Sequence, residues 1–301
     1  MRHFEPAKPG TKLAGFNVLA EIGRGAASII YLVQDAKTKQ IWALKHVERH
    51  SAKDQRFLDQ AISEYEVANK VRHPNVRGIE RLIRSRARLV TVKEVFLLME
   101  YVDGLSIELH PPSTFEDVIR IFRQVAEGLD HMHKCGYVHA DMKPNNIVIN
   151  EDGSVKVIDL GQTCPVGTIK ERIQGTPDYI APEQVHRREI TAQTDVFNFG
   201  ATLYWVLTKQ NIPTAMPKGD SLLNRIDDHL IAKATPPHEI NKRVPVELSD
   251  LVMHCIETEP ARRPANMEEV IVELDDVAEI LKEHGDALKS PDGPETESGA
   301  A

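Results

Sequence analysis

Cysteine is scarce. Three occur in 301 residues, at Cys135, Cys164 and Cys255, an odd number with no CxxC pair. That excludes a disulfide-stapled scaffold and fits reduced thiols in a cytoplasmic compartment. Long apolar runs are also missing. The longest mostly apolar stretch, 196–207, has 12 residues. A bilayer-spanning helix needs about 20, so this stretch reads as a buried core helix. The N-terminal MRHFEPAKPG has no apolar core and is not a signal peptide. Positive charge is not in excess either. The 37 Lys and Arg against 45 Asp and Glu leave a net charge of −8, which removes the electrostatic basis for general nucleic-acid binding. What remains is ordinary for a soluble globular protein, 41% hydrophobic and 27% charged, with length for about two domains.

The first hundred residues read as strands at 16–22, 29–34, 41–47, 79–85 and 94–100, broken by Gly23, Gly25 and the polar stretch 35–40. One helix interrupts them over 53–71, with Phe57, Ala61, Tyr65 and Ala68 at helical steps and His73-Pro74-Asn75 as its stop. Asp103-Gly104 marks a hinge. Beyond it the helical period takes over. Ser113 and Glu116 make a capping-box pattern, and Val118, Ile121, Phe122, Val125, Leu129 and Met132 form one stripe. Gly136 stands where a helix-terminating glycine would. Strands at 147–149 and 155–158 flank the turn Asp152-Gly153, and helices are predicted over 194–207, 247–257 and 267–283. From Ser290 onward no large apolar residue occurs, and disorder is expected.

Three motifs carry chemistry. In Ile22-Gly23-Arg24-Gly25-Ala26-Ala27-Ser28-Ile29-Ile30 a strand enters a glycine turn and a strand leaves it. Glycines allow backbone N–H groups to approach phosphate oxygens, although a plain hairpin turn carries the same pattern. A dinucleotide fingerprint is excluded, because Ser28 replaces the third glycine and the exit is a strand. Next, Lys45 lies inside an apolar strand, where an ammonium needs a partner. Glu64 on the following helix offers one, as it also would in an incidental surface bridge. The third motif is His139-Ala140-Asp141-Met142-Lys143-Pro144-Asn145-Asn146, with Asp159-Leu160-Gly161 13 residues beyond Asn146. Two strands around a turn would bring Asn146 and Asp159 to one end of a hairpin, and their oxygens suit hard Mg²⁺. Asp141 would accept a proton from a hydroxyl, and Lys143 would neutralise a transferring phosphoryl group.

With these residues in place, the sequence over about 16–283 resembles the eukaryotic-type Ser/Thr protein kinases, its compact style being similar to the bacterial members. The resemblance implies a bilobal α+β protein-kinase fold. A small antiparallel β-sheet lobe with one main helix would span 16–102 and a larger, mainly helical lobe 103–284. An N-terminal extension (1–15) and a disordered acidic tail (285–301) would flank them. It implies transfer of the γ-phosphate of ATP to Ser or Thr hydroxyls of proteins, with Mg²⁺, or alternatively Mn²⁺, as cofactor. Catalytic roles fall to Asp141, Lys143, Lys45, Glu64 and Thr176, and metal binding to Asn146 and Asp159. Nucleotide binding falls to Ile22, Gly23, Gly25, Ser28, Ile30, Ala43, Lys45, Met99, Glu100, Val102 and Val148. Met99 resembles a gatekeeper, and Glu100-Tyr101-Val102 a hinge for the adenine. Gly175-Thr176-Pro177-Asp178-Tyr179-Ile180-Ala181-Pro182-Glu183 resembles the substrate-docking end of an activation segment, with Arg263 as the partner of Glu183. Lys143 and Thr176 match the Ser/Thr pattern. The implied partners are a protein substrate and the kinase itself, through autophosphorylation. No nucleic acid, no membrane span and no particular oligomeric state are implied, and the expected location is cytoplasmic. A nucleotide-binding pseudokinase scaffold and a small-molecule kinase of related fold are the alternatives. The intact catalytic set opposes the first, and Glu183 with Arg263 opposes the second.

Four departures stand out. Ala140 occupies the place of an Arg that in many members binds a phosphate on the activation segment. Activity without phosphorylation of Thr163, Thr168 or Thr176 is therefore expected, unless Lys170 or Arg172 supplies the charge. Ser28 replaces a glycine, Leu160 an aromatic residue, and Ala68 is small for its place. Outside the motifs, Arg84, Arg86 and Arg88 would share one strand face, either as an acidic-partner or phosphate dock or as a solvated hairpin tip. Cys164 is either a redox handle or an inert thiol, and no cationic neighbour in sequence favours the first.

Overall fold

The computed structural model describes residues 6–25, 27–87, 91–214 and 232–283. The tail from Ser290, Arg88 and the side chain of Arg86 lie outside the described set. The chain divides into two compact units. One ends at Asp103 and takes in Ile158–Gly161. The other comprises Gly104–Val157 and continues from Gln162.

The first unit contains strands β1 (Lys12–Leu13), β2 (Phe16–Gly25), β3 (Ser28–Gln34), β4 (Ile41–Glu48), β5 (Ile79–Ala87) and β6 (Thr91–Glu100), and one helix, α1 (Gln55–Ala68). The strands form one antiparallel sheet in the order β1-β2-β3-β4-β6-β5. Alternation sets its faces. In β3 the buried positions are Ile29, Tyr31 and Val33, and these join Phe16, Val18, Leu44, Phe96 and Leu98 in one apolar cluster. Helix α1 buries Leu58, Ala61, Val67 and Ala68 together with Glu64. It is shorter than the sequence period suggests at both ends. Asp54 accepts from the N–H groups of His50 and Ser51, at 3.1 and 2.7 Å, and sets a 3₁₀ turn over Ala52–Asp54 before the helix. At the other end the Asn69 amide donates to the Tyr65 carbonyl, 3.0 Å, competing with the helical ladder before the His73-Pro74-Asn75 stop is reached.

His46 on β4 stacks on Phe96, with ring centroids 4.2 Å apart, and is 8% exposed. Burial pushes its imidazole from 6.5 down to about 4. Glu48 opposes this and His50 adds to it. Glu94, 3.4 Å away, does not reverse the shift. The unfolded chain takes up this proton near its ordinary value and the folded chain does not. The stability contribution is therefore complete above about pH 6.5 and is lost as pH falls toward 4. Urea unfolding at pH 7, 5.5 and 4.5 should show His46→Gln removing roughly 2–3 kcal/mol of this acid sensitivity. Equal pH slopes in parent and variant would refute it.

The second unit contains β7 (Gly104–Ser106), α2 (Phe115–Lys134), β8 (Tyr137–Val138), β9 (Ile147–Asn150), β10 (Val155–Val157), β11 (Cys164–Pro165), α3 (Pro182–Val185), α4 (Ala192–Thr208), α5 (Pro237–Ile240), α6 (Val246–Cys255) and α7 (Met267–Glu283). The α2 stripe is buried as its period requires, and Gly136 follows the helix end with φ 84°. The N-terminus differs from expectation. Thr114, not Ser113, caps α2, its hydroxyl accepting from the Asp117 N–H at 3.0 Å. Phe115, fully buried as the first helical residue, draws the start one residue later. Helix α4 is buried almost all round, as its apolar run requires, and packs Phe199 edge-on against Phe122 of α2, 5.2 Å between centroids. Among the described residues no helix is long and apolar enough to cross a membrane.

Candidate active site

In the first unit, β2 and β3 make the glycine hairpin, with Gly25 opposite Ser28 and Gly23 opposite Ile30. The register slips between Glu21 and Gly23, so Ile22 forms a bulge and is 46% exposed. The value of Gly25 here is clearance, since a Cβ on it would lie 2.7 Å from the Ser28 hydroxyl. The serine in place of a third glycine is thus accommodated by the glycine that remains. Ile30 pairs across the sheet with Lys45. Ala43 on β4 faces Met99 on β6, both buried. Glu100 ends β6, its carboxylate accepting from the Gly78 N–H at 3.1 Å. Val102 is half-buried just beyond.

The Lys45 ammonium donates to Glu64 Oε2 at 2.6 Å, and the Glu64 side chain is fully buried. Burial alone would lower the Lys45 pKa. The Glu64 and Asp159 carboxylates overcome it and hold the ammonium above the ordinary lysine value. Among the described residues Glu64 Oε1 has no hydrogen-bond partner. Asp159 takes a left-handed conformation, φ 66°, and accepts from the Gly161 N–H at 3.2 Å. The Gln60 amide of α1 donates to the Gly161 carbonyl at 2.8 Å, fastening this turn to the helix. Leu160 is buried.

In the second unit, Asp141 is the centre of a polar cluster. Its Oδ1 accepts from the Thr176 N–H at 2.9 Å and the Thr176 hydroxyl at 2.8 Å, and its Oδ2 from Lys143 at 2.9 Å. Lys143 also donates to the Thr176 hydroxyl, 2.9 Å. The Asn146 amide donates to the Asp141 carbonyl, 2.8 Å, through its nitrogen, so its oxygen is the atom with acceptor capacity for another group. Val148, buried on β9, lies two residues on. The hairpin register pairs Ile147 with Val157.

The loop carrying Asp141 is clamped from below. Asp195, fully buried in α4, accepts from the N–H groups of His139 and Ala140, at 2.8 and 2.7 Å, and bonds His133 at 2.8 Å. Burial would raise its carboxyl. The His133 hydrogen bond, the charges of His133 and His139 and the Ala140 N–H outweigh burial and hold it below the ordinary aspartate value. Ala140 has φ 61°, a conformation costing an L-residue about 1–2 kcal/mol. Both of its backbone groups are captured, the N–H by Asp195 and the carbonyl by the Gln184 amide at 2.8 Å. Gln184 in turn ties to Ala181 and Asn198. Nothing in the sequence marks Gln184 or His133, since their partners lie 44 and 62 residues away. Glu183 meets Arg263, as the resemblance implied, through two hydrogen bonds of 2.8 and 3.0 Å.

The chain matches the protein kinase domain over residues 16–273. The chain belongs to that family. This protein kinase domain is 28% identical over 277 residues to a probable serine/threonine-protein kinase of Clostridium acetobutylicum, an alignment covering 89% of this chain and 41% of the relative. It is 26% identical over 278 residues to the serine/threonine-protein kinase PrkC of Bacillus subtilis, covering 88% and 41%. To an Aurora kinase of Eremothecium gossypii it is 32% identical over 202 residues, covering 65% and 53%. The chain thus spans about two-fifths of the length of these two bacterial relatives.

Proposed function

We propose that this chain transfers the γ-phosphate of ATP to serine and threonine hydroxyls of proteins. The observation that carries the reading is the joining of Asp141, Lys143 and Thr176 in one hydrogen-bonded cluster. The names of the relatives, serine/threonine-protein kinases, support it. Asp141 orients the acceptor hydroxyl and takes its proton. Lys143, already fixed on Asp141 and Thr176, sets its ammonium against the charge of the transferring group. Lys45, held by Glu64, is the residue for the α- and β-phosphates. Ile22, Gly23, Gly25, Ser28, Ile30, Ala43, Met99, Glu100, Val102 and Val148 are the residues for the rest of the nucleotide. Asn146 and Asp159 are the metal residues. Two oxygen donors, completed by phosphate oxygens, suit Mg²⁺ or Mn²⁺. Such a cation, when bound, supplies neutralisation of phosphate charge. The protein substrate and autophosphorylation belong to the same proposal.

Activity without an activation-segment phosphate is the finer part of the reading. The Ala140 methyl packs in an apolar cluster with Val138, Cys164 and Ile190, so position 140 itself brings no guanidinium. The Thr163 hydroxyl is buried, the Thr168 hydroxyl donates to the Pro165 carbonyl at 2.6 Å, and Thr176 is engaged with Asp141. The double variant Thr163→Ala/Thr168→Ala should keep at least about a third of the parent kcat, whereas Thr176→Ala should lose about tenfold or more. A double variant below about a tenth would overturn phosphate independence.

The test of the reaction is transfer of labelled phosphate from ATP with Mg²⁺ to a generic basic protein and to the chain itself. Label on Ser or Thr, absent with Asp141→Asn, is the expected result. Bound ATP without transfer would favour a scaffold instead.

A further inference from the structure

Burying a lysine ammonium is costly unless the fold uses its charge. Lys170 is half-buried between exposed neighbours, Ile169 and Glu171. Its Nζ donates back along the chain to the Gln162 carbonyl at 2.7 Å, with the Gln162 side-chain oxygen at 3.3 Å. The stretch between them is therefore a closed loop. Backbone and apolar contacts fasten it as well, the Thr168 hydroxyl donates within it to the Pro165 carbonyl at 2.6 Å, and just beyond it Arg187 donates to the Glu171 carbonyl at 3.2 Å. β11 pairs with β8, Val166 N–H donates to Gly136 at 3.0 Å, and Gly167 N–H donates to Ile190 at 2.8 Å. Cys164 packs with Val138, Ala140 and Ile190.

Charges around Lys170 point the same way. Burial lowers its pKa, and the Cys164 thiol and the Asp141 and Asp195 carboxylates partly restore it. Lys143 is committed to Asp141 and Thr176, and position 140 offers no cation. Arg172 is exposed. Lys170 is thus a cation of the activation segment that lies in the field of the Asp141 and Asp195 carboxylates while its Nζ is bonded to Gln162.

We propose that Lys170 is a positioning residue, a built-in clasp that closes the activation segment on Gln162 and holds Thr176 ready against Asp141 without a phosphate. This rests on the phosphate-independent reading above and names the residue that makes it physically possible. It acts through Gln162 and the segment, and touches neither nucleotide nor acceptor.

The experiment uses the full chain after phosphatase treatment, with Lys170→Met, which keeps length and loses charge, and Lys170→Arg, which keeps charge. Phosphate transfer to a basic protein gives kcat and the KM for ATP. Limited cleavage by thermolysin, which cuts before apolar residues such as Val166, Ile169 and Ile173, reports the segment independently of activity. Lys170→Met should lose about tenfold or more in kcat with KM for ATP within about twofold, and Lys170→Arg should recover at least a third of the parent kcat. Cleavage within 163–174 should be several-fold faster in Lys170→Met than in the parent. The clasp is overturned if Lys170→Met cleaves at the parental rate, or keeps kcat within about threefold. It is equally overturned if both variants lose kcat and ATP affinity together, the mark of general damage to the fold. A parent that transfers no phosphate would refute the kinase reading instead, and the cleavage comparison would still decide whether Lys170 holds the segment.

Discussion

Asp141→Asn is expected to lower kcat by about 10²–10⁴-fold, the range of a positioned general base. The amide cannot take a proton from the acceptor hydroxyl. It also disturbs a cluster built around a carboxylate. Asp141 Oδ1 accepts twice from Thr176 and Oδ2 accepts from Lys143. In the variant one of these oxygens becomes an NH₂ group, which faces a donor in either orientation. Lys143 or Thr176 must then turn away, so part of the charge stabilisation is lost together with the base. The fold should survive, because the clamp below the loop runs through Asp195 and the backbone of His139 and Ala140. Steady-state transfer to a protein substrate, paired with a thermal melt, checks both halves. A variant that keeps more than about a tenth of the parent kcat would remove Asp141 from the proton transfer.

Arg263→Ala is expected to cost about 3–5 kcal/mol of stability, the scale for stranding one member of a buried ion pair. All five guanidinium N–H groups are in use. Two reach Glu183, and the others reach the carbonyls of Gln193, Glu257 and Thr258 at 2.8, 2.6 and 3.0 Å. The guanidinium carbon also lies 4.8 Å from the centre of the Phe197 ring. Truncation leaves the Glu183 carboxylate buried without its cation, takes one donor from each of three carbonyls, and leaves a hole beside Phe197. Arg263→Lys should recover little, because an ammonium has three donors and no planar fork. The double variant Glu183→Ala/Arg263→Ala should be less unstable than the two single costs added, since removing both charges strands neither. Urea unfolding of the four proteins gives the cycle. An Arg263→Ala cost below about 1 kcal/mol would show that the pair contributes little.

Much of the candidate site was legible along the chain because its parts are local. Asp141, Lys143 and Asn146 lie within one loop, and the short hairpin after it carries the chain on to Asp159. Lys45 and Glu64 were legible for a similar reason. An apolar strand cannot hold a lysine without a counter-charge, and the next element supplies one at 2.6 Å. The helical stripe of α2 needed only its own period. The helix ends were read less well. Thr114 rather than Ser113 caps α2, and α1 stops at Ala68, because burial of Phe115 and an amide-to-carbonyl bond from Asn69 decided between neighbouring residues of similar propensity.

By itself the sequence determined the family and the order of parts and proposed the chemical set, all of which depend on residue type and near spacing. Only the tertiary structure decided how that set is held. The Asp195 clamp on His139 and Ala140, the Gln184 bond to the Ala140 carbonyl and the Lys170 closure on Gln162 are choices among many polar side chains of equal suitability. A hydrogen bond contributes about 1 kcal/mol net but costs more when a buried partner is left alone. Which donor meets which acceptor is therefore settled by what packing has already buried, and packing is a property of the folded chain.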